Sequence, residues 1–297
     1  MNHKIVVFGS VNRDHVYTVD HLVEPGETIS SSEVHIYWGG KGLNQSIALA
    51  RAGAPTVLAA KIHPDEDAGL RELCRESGVD DSLVRRADAP TGHAIIQIDR
   101  TGRNGIFVYP GANGTVDADD IGATLSHMEP GDLLLLQNEI SRIPEIIAAA
   151  HRRGVKVILN PSPVSEEMRC WPLELVDILI VNETEGAALS REKTPEEILD
   201  WFKKQYPSGA VILTLGEDGS YYQDAGRRIF QSAFPVSAVD TTAAGDTFTG
   251  FFLARMLSGA DTQLCLRAAA RASSIAVSRK GATVSIPTLR EVLEAEG

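Results

Sequence analysis

Residues 237–252 read SAVDTTAAGDTFTGFF and place a carboxylate, Asp246, after small residues and just before an apolar segment, Phe248 to Leu257. Small residues at a helix start leave backbone N–H groups bare and pointing outward, which makes an anion site. An anion and a carboxylate repel each other unless the carboxylate handles a proton while the anion is transferred. The pattern therefore predicts phosphoryl transfer to a hydroxyl, with Asp246 as the base. The bland alternative is that Asp246 caps the helix and Gly245 only makes a turn.

Other polar clusters carry compatible chemistry. Gly9-Ser10-Val11-Asn12-Arg13-Asp14 follows an apolar run. Asn12 and Asp14 lie two apart and can project into one pocket. A carboxylate accepts from two adjacent sugar hydroxyls, and an amide both donates and accepts. A turn built by Asn and Asp is equally compatible with this segment. Trp38-Gly39-Gly40-Lys41-Gly42-Leu43-Asn44 holds three glycines in four positions before a helix, which allows close backbone approach to a ligand. It lacks the spacing of G-x-x-x-x-G-K-[ST], and no G-x-G-x-x-G follows the first strand, which argues against a dinucleotide-binding dehydrogenase.

Gln137-Asn138-Glu139, Asn182-Glu183-Thr184-Glu185 and Thr214-Leu215-Gly216-Glu217-Asp218-Gly219 each follow an apolar run. Helix capping is an adequate alternative for Glu183 or Glu185. Jointly, five polar loops fall at strand carboxyl ends, where the crevice of an open α/β sheet lies. Asp240, Thr242 and the segment Ser278–Ser285 could offer carbonyls, a carboxylate and a hydroxyl to a monovalent cation, although composition alone does not establish it. His63 with the acids of HPDED reads as a solvated loop and helix start, since neither HExxH nor a cysteine pair is present. His93 alternates with apolar neighbours as an ordinary strand residue does.

The elements that must position these groups alternate along the chain. Ile5–Phe8, Val57–Ala60, Leu133–Leu136, Val155–Leu159, Ile178–Val181 and Val211–Leu215 read as buried strands. Gln45–Arg51, Ala68–Ser77, Ile143–Arg153, Pro195–Tyr206 and Gly245–Leu257 read as helices. Such alternation predicts a mainly parallel sheet with helices on both faces. Residues 14–37 and 91–109 break it with period-2 stretches around EPGET and RTGRN turns. They suggest a four-stranded β lid, or alternatively a dimer surface, inserted in one α/β domain spanning 1–297.

Acidic residues outnumber basic ones by 40 to 28, for a net charge of -12. That balance disfavours nucleic acid and anionic membranes, and a phosphate-rich ligand must be held by local backbone devices. Cys74, Cys170 and Cys265 are widely separated and lack metal spacing, which fits a reducing compartment. The apolar run near the N-terminus is too short for a signal peptide, and no run approaches the roughly 20 residues of a membrane span. A cytoplasmic protein is expected.

Taken together these residues resemble the ribokinase-like (PfkB) family of sugar kinases. The likeness runs over essentially the whole chain, from GSVNRDH through PGET, GGKGLNQ, the GAN at 111–113, NPSP at 160–163, NETE at 182–185, TLGEDG and VDTTAAGDTF to RKGA at 279–282. GGKG-x-N and DT-x-AAGD are specific to the family, and the intervening pieces support them.

The resemblance implies a three-layer α/β/α domain with a four-stranded β lid, often used for homodimerisation. It implies transfer from ATP, with magnesium, to a sugar's primary hydroxyl, the 5-hydroxyl of D-ribose being the expected acceptor. Asp246 matches the family's base, and the amides of Ala244, Gly245 and Asp246 match its anion hole. Asn12, Asp14, Gly40, Lys41, Gly42, Asn44 and Glu139 match sugar contacts. Asn182 and Thr214, Leu215, Gly216, Glu217, Asp218 and Gly219 match nucleotide contacts, as does Gly245, and Glu185 matches an acidic position linked to magnesium. Asp240, Thr242, Ala276, Arg279, Gly281 and Ser285 match a potassium site. The chain departs from the family at Ala270, where a His near the adenine is common. Two other readings stay open: a kinase for 2-deoxyribose, fructose or a nucleoside, and a non-catalytic sugar sensor. The intact Asp246 and glycine run speak against the sensor.

Overall fold

The apolar runs become strands because each is short, rich in β-branched residues and Leu, and bounded by turn formers. The computed structural model describes residues 3–295. Its strands are β1 Ile5–Phe8, β2 Asn12–Thr18, β3 Glu33–Gly39, β4 Thr56–Ile62, β5 Asp80–Arg86, β6 Gly92–Ile98, β7 Asn104–Tyr109, β8 Leu133–Gln137, β9 Lys156–Asn160, β10 Ile178–Asn182, β11 Ala210–Thr214, β12 Ser220–Gln223 and β13 Arg228–Gln231. Its α-helices are α1 Lys41–Arg51, α2 Asp67–Ser77, α3 Ala118–Ser126, α4 Ile143–Arg152, α5 Glu183–Ser190, α6 Pro195–Gln205, α7 Ala244–Leu257, α8 Thr262–Val277 and α9 Leu289–Glu294.

Nine strands form one sheet in the order β13-β12-β11-β10-β9-β8-β1-β4-β5. All its pairings are parallel except those of β12, which runs antiparallel to β11 and β13. Alternate strand residues face opposite layers. Ile5, Val7, Leu133 and Leu135 pack with α1, α7 and α8, whereas Val6, Phe8, Leu134 and Leu136 pack with α3, α4 and α6. This is the three-layer α/β/α sandwich expected from the alternation. The chain leaves β1 toward β4 and β5 on one side and builds β8 to β11 on the other. The order reverses at β1 and β8, and the crevice beyond their carboxyl ends is where ligands bind in such sheets.

A separate four-stranded sheet has the order β3-β2-β6-β7. Val34, Ile36, Ile106, Phe107, Val108 and Tyr109 on its two edge strands are exposed apolar or aromatic residues. No helix among the described residues is long and apolar enough to cross a membrane.

Several boundaries differ from the expectation. Helix α1 begins at Lys41 rather than Gln45, because Gly40 at φ +92 turns the chain and Asn44 N–H donates to its carbonyl at 2.9 Å. Strand β2 begins at Asn12, so Asn12 and Asp14 lie on one strand face rather than in a turn. β5 is an edge strand of mixed charge, DDSLVRR, with no apolar alternation. α8 buries mostly alanines, which weakens its stripe.

Candidate active site

Ala243 precedes α7 in the left-handed region at φ +59, an uncommon conformation for a residue with a Cβ. The turn aims the start of α7 into the crevice. Ala244 N–H donates to Thr241 O at 3.2 Å. The amides of Gly245 and Asp246 have no protein acceptor among the described residues, so the expected row of three bare donors is a pair. A Cβ placed on Gly245 would meet open space. Two unpaired amides at the positive end of a 14-residue helix favour an anion.

Asp246 does not act as the helix cap. Its Oδ2 accepts from Asn44 Nδ2 at 3.0 Å and its Oδ1 from Gln45 Nε2 at 2.9 Å, both donors lying on α1. Asp246 is 7% exposed and lies on the wall of a cavity of about 230 Å³. Lys41, Asn160, Asn182, Glu185, Thr214 and Gly245 line the same cavity. Burial opposes the charge on Lys41, but Asp246, Glu139 and Glu185 outweigh it and hold the ammonium above its ordinary pKa. Lys41 thus sits among three carboxylates, at the junction of two half-sites.

One half-site gathers Asn12, Asp14, Gly40, Lys41, Gly42, Asn44 and Glu139. Ser10 Oγ and the Lys41 N–H both donate to Glu139 Oε2, at 2.5 and 3.0 Å. Asn113 Nδ2 donates to Asn12 Oδ1 at 2.8 Å, and Asn113 Oδ1 accepts from Val11 N–H at 3.1 Å. Gly42 lies against the backbone of Gly9 and Ser10, and a Cβ there would come within 2.5 Å. Burial, and secondly Glu139, push the Asp14 carboxyl up to about 6 against the pull of Arg13. Asn44 Oδ1 is buried with no partner. An orphaned acceptor costs about 1–3 kcal/mol, which a ligand hydroxyl would relieve.

The other half-site lies over β10 and β11. Asn182 Oδ1 accepts from Glu185 N–H at 2.8 Å and Glu185 Oε2 from Asn182 N–H at 3.0 Å, a reciprocal cap of α5. Glu185 therefore caps the helix and also faces the cavity. Thr214 lines the cavity, Leu215 is buried in the core, and Gly216, Glu217, Asp218 and Gly219 form a turn outside the lining residues.

Beyond the start of α7, Asp240 clasps two loops. Its Oδ1 accepts from the Thr242 N–H at 2.9 Å and the Thr242 hydroxyl at 2.6 Å, and its Oδ2 from Gly281 N–H at 2.9 Å. Burial raises the Asp240 pKa, but these donors prevail and hold it below the usual value. The Arg279 guanidinium is committed to Glu291 at 2.6 Å, the Ser285 hydroxyl donates to Ala282 O at 2.8 Å, and buried Ala276 offers a carbonyl to Arg279 N–H at 3.0 Å. Among the described residues no group of three or more His, Cys, Asp or Glu could hold a metal ion.

Ser10, Gln45, Asn113 and Asn160 fall inside the quoted stretches GSVNRDH, GGKGLNQ, GAN and NPSP, but sequence reasoning gave them no role in the site. Their partners are distant in the chain, and only the pattern of contacts shows what each one holds.

A parallel α/β sheet whose reversal crevice ends on a buried carboxylate, a lysine and open helix amides is the architecture of a phosphotransferase. The comparisons with known proteins agree. The pfkB family carbohydrate kinase pattern matches residues 2–289. Ribokinase from Staphylococcus aureus (strain COL) is 37% identical, over 98% of this chain and 99% of that protein. Arabidopsis thaliana ribokinase complexed with ribose and ATP superposes with a TM-score of 0.86 at 34% identity, covering 99% of this chain and 98% of that one. Ribokinase from Cryptococcus neoformans in complex with ADP gives a TM-score of 0.86 at 32% identity, with 99% of each chain covered. The chain belongs to the pfkB family of carbohydrate kinases.

Proposed function

We propose that this kinase transfers the γ-phosphoryl group of ATP to the 5-hydroxyl of D-ribose. The observation that carries the reading is Asp246, a buried carboxylate oriented by Asn44 and Gln45 on the wall of the cavity, beside two unpaired helix amides. The similarity to ribokinases, one of them with ribose and ATP bound, supports the same assignment.

In this reading ribose is held by Asn12, Asp14, Asn44 and Glu139 and the backbone of Gly40–Gly42. Asp246 takes the 5-hydroxyl proton as the oxygen attacks the γ-phosphorus. The new P–O bond forms while the bond to the β-bridging oxygen breaks, and ADP leaves with that electron pair. The amides of Gly245 and Asp246 and the Lys41 ammonium face the charge on the transferred group. Asn182 and the strand end from Thr214 hold the nucleotide. The small sheet covers the sugar and excludes water, since an open site would hydrolyse ATP.

Magnesium bound to ATP would neutralise phosphate charge, and Glu185 is the cavity carboxylate that would face it. The lack of a three-ligand protein cage among the described residues suits an ion carried by phosphates and water. Asp240, Thr242, Ser285 and the backbone of Ala276, Arg279 and Gly281 would hold a monovalent cation such as potassium. The donors already converging on Asp240 keep it ionised, which suits a cation. The exposed apolar residues of the small sheet support a homodimer. Three free cysteines support a cytoplasmic setting.

The decisive assay is sugar-dependent ADP release with ribose, 2-deoxyribose, fructose and nucleosides, with and without potassium. Ribose should give the highest kcat/KM. If Asp14 accepts from both the 2- and 3-hydroxyls, 2-deoxyribose leaves a buried acceptor unpaired and is rejected. Equal kcat/KM for the two pentoses contradicts the ribose assignment. Asp246→Asn should lower turnover by about 100-fold or more, and near-normal turnover removes Asp246 as the base.

A further inference from the structure

Behind the base lies a hydrogen-bonded run of side-chain amides that reaches the reaction through the Asp246 carboxylate. Gln45 Nε2 donates to Asp246 Oδ1 at 2.9 Å and to Asn160 Oδ1 at 3.1 Å. Gln45 Oε1 accepts from Gln137 Nε2 at 2.7 Å. Asn160 Nδ2 in turn donates to Ile180 O at 2.9 Å. Gln45 and Gln137 are both 0% exposed, and Gln137 Oε1 has no partner.

These contacts fix the orientation of the Gln45 amide. Flipped, its oxygen would face the Asp246 carboxylate and the Asn160 oxygen, and its NH₂ would face the NH₂ of Gln137. Burying two glutamines, one with an orphaned oxygen, is unfavourable next to apolar residues of similar size. A neutral amide can orient the carboxylate without adding a second positive charge to that of Lys41, which already acts on Asp246. The arrangement has the form of a brace with β8 as its anchor, since Gln137 ends that strand.

We propose that Gln45 is a positioning residue that fixes the Asp246 carboxylate for proton abstraction, and that Gln137 acts on the base only through Gln45. This rests on Asp246 being the base, which Asp246→Asn tests separately. The experiment measures kcat with saturating ATP and ribose, and the ribose Kd by calorimetry, for Gln45→Met, Gln137→Met, the double variant and Asp246→Asn. Met keeps length and packing and removes the hydrogen bonds.

Gln45→Met should lower kcat about 10- to 100-fold, the scale of a misplaced catalytic group. Its ribose Kd should stay within about 2-fold, because ground-state binding does not need the brace. Gln137→Met should lower kcat less, and the double variant should fall no further than Gln45→Met alone, because one residue acts through the other. With Asp246→Asn inactive, a Gln45→Met kcat near the parent's, or additive losses in the double variant, overturns the proposal. If Gln45→Met does not fold, Gln137→Met decides, and there an unchanged kcat overturns it. Turnover surviving in Asp246→Asn would instead remove the base assignment itself.

Discussion

Asp14 is placed where a carboxylate resists ionising. Burial and the nearby Glu139 push it up to about 6, whereas an unfolded Asp titrates near 3.8. The folded protein therefore binds this proton more tightly than the unfolded chain. The resulting stabilisation is complete below about 3.8 and is lost as pH rises through about 6. Asp14→Asn should raise Tm relative to the parent at pH 8 and give a smaller gain at pH 4, while weakening ribose binding by about 10-fold or more. Thermal unfolding at the two pH values, paired with ribose KM, checks both halves. A neighbouring glycine makes a sharper test, because a Cβ on Gly39 would fall 1.9 Å from Asp14 Oδ2. Gly39→Ala should raise ribose KM about 10-fold while leaving ATP KM near its parent value. Lys41 and Asp246 stand out in the sequence because each lies beside glycines before a helix, and Asp14 and Glu139 because each lies in a polar stretch after an apolar run. Gln45 shows in the sequence only as the end of GGKGLNQ and the start of a helix, and its bond to Asp246, 201 residues away, shows only in the structure.

The base and its donors sit on different helices, so the site depends on how closely α1 and α7 approach. Gly250 allows that approach, since a Cβ there would lie 2.4 Å from Ala48 Cβ and 2.8 Å from Ala48 C. Gly250→Ala should destabilise the fold by about 1–3 kcal/mol, the usual range for overpacking. It should also lower kcat by moving Asn44 and Gln45 off Asp246. Urea unfolding with steady-state kinetics separates the two effects, and a kcat unchanged beside lost stability would show that the helix spacing does not set the base. At this scale the sheet and most helices follow from apolar runs of strand and helix length. The start of α1 did not, because glycines lower helix propensity although Gly40 launches the helix. β12 and β13 also escaped, being four-residue strands after a glycine turn that reads as a loop.

Across the whole molecule, a charge of -12 and an anionic substrate coexist because attraction is concentrated in Lys41 and two amides rather than spread over the surface. The small sheet shows the opposite economy, with Ile106 55% and Val108 53% exposed. Its register aligns Asp14 with Ala94 and Ala94 with Val108, so Asp14 and Val108 share a face, as does Ile106 two residues along. Ile106→Asp should turn the proposed dimer into a monomer in sedimentation, and a native mass equal to the parent's would remove this sheet from the subunit contact. Because β2 carries Asn12 and Asp14 within that same sheet, sugar binding and subunit pairing would be reciprocal equilibria. Saturating ribose would tighten the pair by the factor through which pairing tightens ribose, so dilution alone would weaken the enzyme's grip on scarce sugar.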